Sequence, residues 1–414
     1  MPSAFLTSFR NQPCLLMLLL VSVAAASCGR NLAKQTEAEP RITANAPVIP
    51  TSVQMWLGTP ARNFYGSGPW PERPLRVIWE FETDLMSGRL HREGWGGLSW
   101  PGQPSLSGER VYFGSADGYL YCLDTQDGSL IWSFKAADSL KTTPTIAGNR
   151  VIASGLDHYV YCLNANDGSL IWKYKTGFEV DSSAAVINGR VYFGGEDGFF
   201  YCLSLEDGAL LYKTAWLGSM EGSFSVVAGR IYIGTEQGDL YCLEMSDGST
   251  IWKSRLGADS DSTPAVADGL VYTAAENGYV YCFKQADGEL VWKFKAEGGL
   301  SRIYKERSGF WASPVVRNGR IYIGSNNGQM YCLSSDKGEV VWQHQVRAPI
   351  WGTSPVVDGR VVFGDKAGWM YMLSADDGRR LWELKIGENV NATPAILGGR
   401  IYIGAFNGKL FCLG

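Results

Sequence analysis

Three carboxylates recur at one place in this sequence. Asp181, Glu221 and Asp261 stand 40 residues apart, each three positions before the residue that opens a short apolar run. The same place elsewhere holds Lys141, Trp311, Asn391, Pro101 beside Trp100, and Gly352 beside Trp351. If the segments that carry them converge, the acids form one arc and the tryptophans another. An acidic arc orients a partner that carries positive charge. Exposed tryptophan with arginine nearby, here Arg302 and Arg307 in an adjacent insertion, has the composition of a protein-binding hot spot. The plainer alternative is that the acids are solvated and the indoles cover the loops.

Catalytic constellations are harder to find. The sequence contains no Ser/His/Asp order, no HExxH and no CxxC. Its three histidines, His91, His158 and His344, lie far apart in the repeat frame. His158 takes the place of a turn glycine and His344 falls on an outer strand, so His91, beside Arg92 and Glu93, is the one with a charged neighbourhood. No catalytic or metal-binding residue is assigned.

The elements that must position the candidate rim are copies of one unit, Arg110 to Trp132. Its core, Tyr-Cys-Leu or a near relative, starts at Tyr121, Tyr161, Tyr201, Tyr241, Tyr281, Tyr331, Tyr371 and Phe411, eight copies at intervals of 40 residues except for one of 50. Each copy reads as three β-rich runs separated by Gly-containing turns, preceded by an inner run such as Thr143 to Ala147. Asp-Gly between β-formers signals a tight hairpin. The runs Leu-Tyr-Cys-Leu lack polar alternation, so both faces of each small sheet must be buried. Face-to-face stacking of four-stranded antiparallel sheets around an axis achieves this, and the period is that of a β-propeller. An outer-strand aromatic follows in seven copies, but the eighth stops at Gly414. The unmatched run Leu75 to Phe81, with Trp79, supplies the missing strand. The prediction is an all-β, eight-bladed propeller over residues 55–414, with the last blade closed by the N-terminal strand.

Seven of the nine cysteines share one repeat position: Cys122, Cys162, Cys202, Cys242, Cys282, Cys332 and Cys412. Their strand is third from the axis, roughly 15 Å out for strands ~4.8 Å apart. Adjacent copies are then on the order of 11 Å apart, beyond the ~7 Å reach of a disulfide. They are expected to be small buried apolar residues.

The motif D-G-x-x-x-W after each apolar strand, as in Asp127 to Trp132 and Asp377 to Trp382, resembles the tryptophan-docking repeat of the pyrroloquinoline quinone (PQQ) propeller family, over roughly residues 56–414. The resemblance implies that each tryptophan lies between neighbouring blades against the next turn glycine. It also implies two contrasting functions. Quinoprotein dehydrogenases of this family hold PQQ and calcium at the centre of the ring, using long inserted loops, an adjacent cysteine pair and acidic residues. This chain has no Cys-Cys pair and two modest loops, 84–103 and 297–309, and none of its residues matches the calcium ligands or catalytic acid. The lipid-tethered propellers of outer-membrane β-barrel assembly are similar in length, export signal, minimal ring and lack of cofactor residues.

The N-terminus fits the second class. Arg10 is followed by the apolar run Leu15 to Ala26, too short to span a bilayer but suited to a signal peptide over residues 1–27. Ala25-Ala26-Ser27-Cys28 resembles a bacterial lipobox, which makes Cys28 the expected lipidation site. Gly29 in second place would permit outer-membrane sorting in a host with two membranes. Residues 28–54 are polar and contain Pro40, Pro47 and Pro50, a flexible tether. The net charge of −4 argues against nucleic-acid binding and against adsorption to anionic lipid. The expectation is a monomeric, non-catalytic envelope scaffold that binds protein partners without a cofactor, with a PQQ-dependent dehydrogenase or a carbohydrate-binding propeller as the alternative.

Overall fold

The computed structural model describes residues 52–84, 102–297 and 309–414. Each of eight sheets contains four antiparallel strands. Blades 1–7 run through 105–135, 145–175, 185–213, 225–255, 265–295, 315–345 and 356–385. Blade 8 takes three strands from 395–413, and its outer strand is Val77–Glu82, which pairs with Lys409–Leu413. The predicted propeller and its closure by the N-terminal strand are thus present.

Local sequence explains the blade. The third strand of blade 1, Tyr119–Asp124, buries all four of its central residues, as the unbroken apolar pattern requires. At the turn into the outer strand Gly168 has φ +73°, and a Cβ there would lie 2.6 Å from the ring of Trp132. Glycine is therefore needed twice over, for the backbone conformation and for contact with the indole. Trp132 Nε1 also donates to Ala165 O at 3.0 Å. Equivalent links join each blade to the next, with Tyr212 donating its hydroxyl to Met245 O. The circle closes through Trp382 Nε1 to Leu75 O and Trp79 Nε1 to Thr125 O, both 3.1 Å. All seven repeat cysteines are buried and free. His158 adopts φ +69° at the expected turn-glycine position.

The lead-in to the ring behaves differently from a simple approach. The innermost strand of a blade has one paired edge, and its other edge faces the axis. Residues 53–67 bond to several of those free edges in turn. Val53 pairs with Leu106 of blade 1, Gln54 O accepts from Ile146 N of blade 2, Pro60 O accepts from Val226 N of blade 4, and Ser67 N donates to Ile396 O of blade 8. The segment fills the channel. Val53 and Gln54, which the sequence placed in the tether, belong to this plug. At its centre Arg62 is 1% exposed and donates to the carbonyls of Trp56, Phe224 and Ser183 at 2.8, 2.8 and 3.2 Å. Burial pushes its guanidinium down to about 9.

Around the plug runs a belt of hydroxyls. The backbone N–H of Thr143 donates to Ser183 Oγ, that of Ser183 to Ser223 Oγ, that of Ser313 to Thr353 Oγ1 and that of Thr353 to Thr393 Oγ1. One blade's orphan donor meets the next blade's side chain, so the residues that lead into the inner strands are satisfied without a backbone partner.

Candidate functional site

The segments that carry the chain from an outer strand to the next inner strand converge on one mouth of the ring. Lys141, Asp181, Glu221, Asp261, Trp311, Trp351 and Asn391 line a single pit there, and Trp56 of the plug also lines it. The seven rim residues in the described segments are therefore brought together as their spacing suggested. Trp100, Arg302, Arg307, His91 and Cys28 lie outside the described residues.

The rim's chemistry is more acidic than the aligned positions indicate. Glu196, Glu236 and Glu276 also recur 40 residues apart, in the turn between second and third strands. Their backbone N–H groups donate to Glu179 O, Ser219 O and Asp259 O at 3.1, 3.0 and 2.9 Å, which fixes each turn against a rim connection. Two carboxylate groups result, Glu179/Asp181/Glu196 and Asp259/Asp261/Glu276, with oxygens within 4.8 Å of one another. The signal was present in the sequence as a second 40-residue series. Its proximity to the first depends on blade geometry.

Lys141 is no freely solvated charge. Its ammonium pairs with Asp181 and lies 3.6 Å from Glu221, with 12% of the side chain exposed. Burial opposes that charge, but the two carboxylates outweigh it and hold the lysine above its ordinary pKa. Burial and the neighbouring Asp181 push Glu196 up to about 9. Burial raises Glu221 to about 7 against the pull of Lys141, and burial with Glu276 and Glu236 raises Asp259 to about 6. Asp261, buried and facing Glu221 and Asp259, is held well above the usual carboxylate range.

Acids whose folded pKa exceeds the unfolded value stabilise the fold below the unfolded pKa, and that contribution is lost as pH rises through the folded one. These groups should therefore lower the melting temperature progressively between about pH 5 and 9. Glu196→Gln is expected to flatten the upper part of that slope and to raise stability at pH 8 by about 1 kcal/mol. A Glu196→Gln protein less stable than wild type at pH 8 in thermal scans would show that this carboxylate is a net stabiliser.

The expected exposed aromatic arc needs correction. Trp351 is 2% exposed, its ring centroid is 4.2 Å from that of Trp311, and Lys366 Nζ sits over the ring, 3.6 Å from its centroid. Trp311 is half-buried and donates its indole N–H to Glu276 Oε1 at 2.7 Å. The indoles are packed into the wall because a cation and a second, tilted ring lie against Trp351.

The pit encloses about 40 Å³. That volume is room for a few waters. Pyrroloquinoline quinone, a rigid, planar, fused-ring polycarboxylate, does not fit the described residues: its charge is that of the acidic wall, and residues 53–67 bond along the inner strands behind it.

The sequence family described as outer membrane protein assembly factor BamB matches residues 76–215, 201–305 and 237–413, which together span the ring. A search of curated proteins finds no significant match. Among solved structures, BamB from Moraxella catarrhalis is 17% identical with a TM-score of 0.53, covering 82% of this chain and 99% of that one. A europium-containing methanol dehydrogenase is 14% identical with a TM-score of 0.72, over 88% and 98% of the two chains. The computationally designed Ika8 protein is 14% identical with a TM-score of 0.68, over 81% and 99%. At these identities the structures share the fold alone, and the family assignment rests on the sequence match from residue 76 to residue 413: the chain belongs to the BamB family of PQQ-repeat β-propellers.

Proposed function

We propose that this chain is a lipid-anchored, non-catalytic interaction propeller of the cell envelope, acting through protein partners in outer-membrane protein assembly. The observation that carries the reading is the plug. With residues 53–67 bonded to the inner strands, the ring offers rigid surfaces and a shallow charged pit in place of a cofactor chamber. Family membership supports the assembly role. The apolar run ending at Cys28 supports export and attachment, on the periplasmic side of the outer membrane in a host that has one. In this reading the fold holds a fixed array of carboxylates whose field orients a basic partner and speeds its association.

A quinoprotein dehydrogenase is the second reading. The shared architecture with the methanol dehydrogenase and the two carboxylate groups favour it. Both are tested on the full-length protein. Purified from gently solubilised membranes, the chain is expected to carry a diacylglyceryl group on Cys28 and to bring down subunits of the outer-membrane assembly machinery, and Cys28→Ala should release it into the soluble extracytoplasmic fraction. Recovery of a stoichiometric quinone complex with dye-linked alcohol oxidation after reconstitution with PQQ and calcium would reverse the ranking.

A further inference from the structure

Seven of the eight joints between blades are built alike, and the eighth is not. At each of the seven an outer-strand ring lies against a glycine in the next blade's turn between third and outer strands, from Trp79 on Gly128 and Trp132 on Gly168 round to Trp342 on Gly378. Blade 8 takes its outer strand from Val77–Glu82, so no turn joins its third and outer strands. Trp382 therefore meets Leu75 in place of a turn, with its indole N–H on Leu75 O at 3.1 Å, and stays half-buried. The arginine of this joint is displaced in the same way. Arg110, Arg150, Arg230, Arg320 and Arg400 open the second strands of their blades, and each donates to a carbonyl of the next blade's turn at 2.5–3.3 Å. Arg360 holds the same place in blade 7 and has no such carbonyl to reach. Its guanidinium lies 5.4 Å from the ring centroid of Trp70, with Nη1 3.4 Å from Met372 Sδ, and no carboxylate pairs with it among the described residues.

The irregular joint leaves a groove of about 380 Å³, toward the face opposite the mouth, where inner strands turn into second strands. That volume falls within the roughly 300–1,000 Å³ of small-ligand sites. Trp70, Pro74, Met372 and Trp382 wall the groove, and Arg360, Arg73 and Glu72 are the charged groups that line it. Both indoles are pinned by their N–H groups, Trp70 to Val357 O and Trp382 to Leu75 O, each at 3.1 Å, so the aromatic walls are set before anything binds. Glu72 and Arg73 are exposed and opposite in charge, which leaves Arg360 to set the sign of the groove.

We propose that this groove binds a carboxylate carried on an apolar body, the carboxylate on Arg360 and the apolar part against Trp70, Pro74 and Trp382. The guanidinium is the one group there that matches a carboxylate in both charge and fork geometry. Its present polar contact is a thioether sulfur, a weak acceptor, so exchange of Met372 Sδ for a carboxylate oxygen strengthens its hydrogen bonding. The Trp70 ring holds the cation through its π-system, which leaves N–H groups for the ligand. Ligands of this class are an Asp or Glu beside an apolar residue in a partner's segment, or a free aliphatic acid. The site goes beyond the scaffold reading: it is built at the seam of the ring, and its preference is for the charge opposite to that favoured by the acidic mouth.

The test is calorimetric titration of the full chain at neutral pH with N-acetyl-leucyl-glutamate N′-methylamide, with its glutamine analogue, and with 4-methylpentanoate. The glutamate peptide is expected to bind at least about tenfold more tightly than the glutamine analogue, the effect of one charge-assisted pair. Arg360→Met should bring the glutamate peptide down to the level of the glutamine analogue, and Arg360→Lys should fall between, because an ammonium keeps the charge and loses the fork. Arg360 bonds no neighbouring blade, so Arg360→Met should melt close to wild type, whereas Arg320→Met, which gives up the Ala375 carbonyl, should melt lower. Equal affinity of wild type for the two peptides overturns the proposal without recourse to any variant, as does full retention of glutamate-peptide binding by Arg360→Met. Arg360-dependent binding of 4-methylpentanoate as tight as that of the dipeptide supports the site and assigns it a free acid, and weaker binding supports it and assigns a protein segment. If neither carboxylate binds, the proposal fails.

Discussion

A chain that begins after Glu82 is expected to lose the propeller and aggregate, whereas one that lacks only residues 29–51 should melt as wild type does. The short deletion leaves every described residue of the ring and plug in place. The long one removes three things together. Strand Lys409–Leu413 loses its antiparallel partner, leaving an open edge that invites association. Trp382 and Gly128 lose the carbonyl of Leu75 and the ring of Trp79 against which they dock. The inner strands lose the plug. Trp79→Ala isolates the second of these. The indole is 8% exposed and contacts Gly128 and Tyr402, so its truncation should cost about 3–5 kcal/mol in denaturant unfolding. A loss below about 1 kcal/mol would mean that the closing strand is held by its backbone alone.

Arg62→Met should be comparably damaging. The guanidinium is the plug's anchor: three carbonyls, from Trp56, Ser183 and Phe224, converge on it, and it lies 5.3 Å from the Phe224 ring centroid. Methionine keeps much of the apolar volume but leaves those oxygens buried without donors, a cost of about 3 kcal/mol or more. Arg62→Lys should recover part of the loss, because one ammonium cannot match donors fixed in a planar fork. Hydrogen exchange at Val226 and Ile146, whose N–H groups bond the plug, reads the effect directly. Unchanged protection in Arg62→Met would show that the plug is held elsewhere.

The rim shows how far sequence reading reaches. Lys141, Asp181, Glu221 and Asp261 could be aligned by counting, and they do share one pit. Trp351 could be aligned too, but its burial beneath Lys366 could not be foreseen, because Lys366 belongs to a different series of the repeat and meets the indole through a turn. Glu276 and Asp259 are likewise 17 positions apart, and they become neighbours only when the turn between second and third strands folds onto the rim.

What the sequence determined by itself is everything that repeats: eight blades, strand order within each, docking of tryptophan on glycine, closure by the run Leu75 to Phe81 and the isolation of the cysteines. These follow from local period and from contacts between equivalent positions, which a fixed spacing encodes. What only the tertiary structure decided is everything that breaks the period. Residues 53–67 carry no repeat and fill a channel, because the inward edges of eight short strands must find donors and acceptors and this is the segment that reaches them. Arg62 meets Phe224 across 162 residues. No spacing in the chain announces that contact, since it is created by closing the ring.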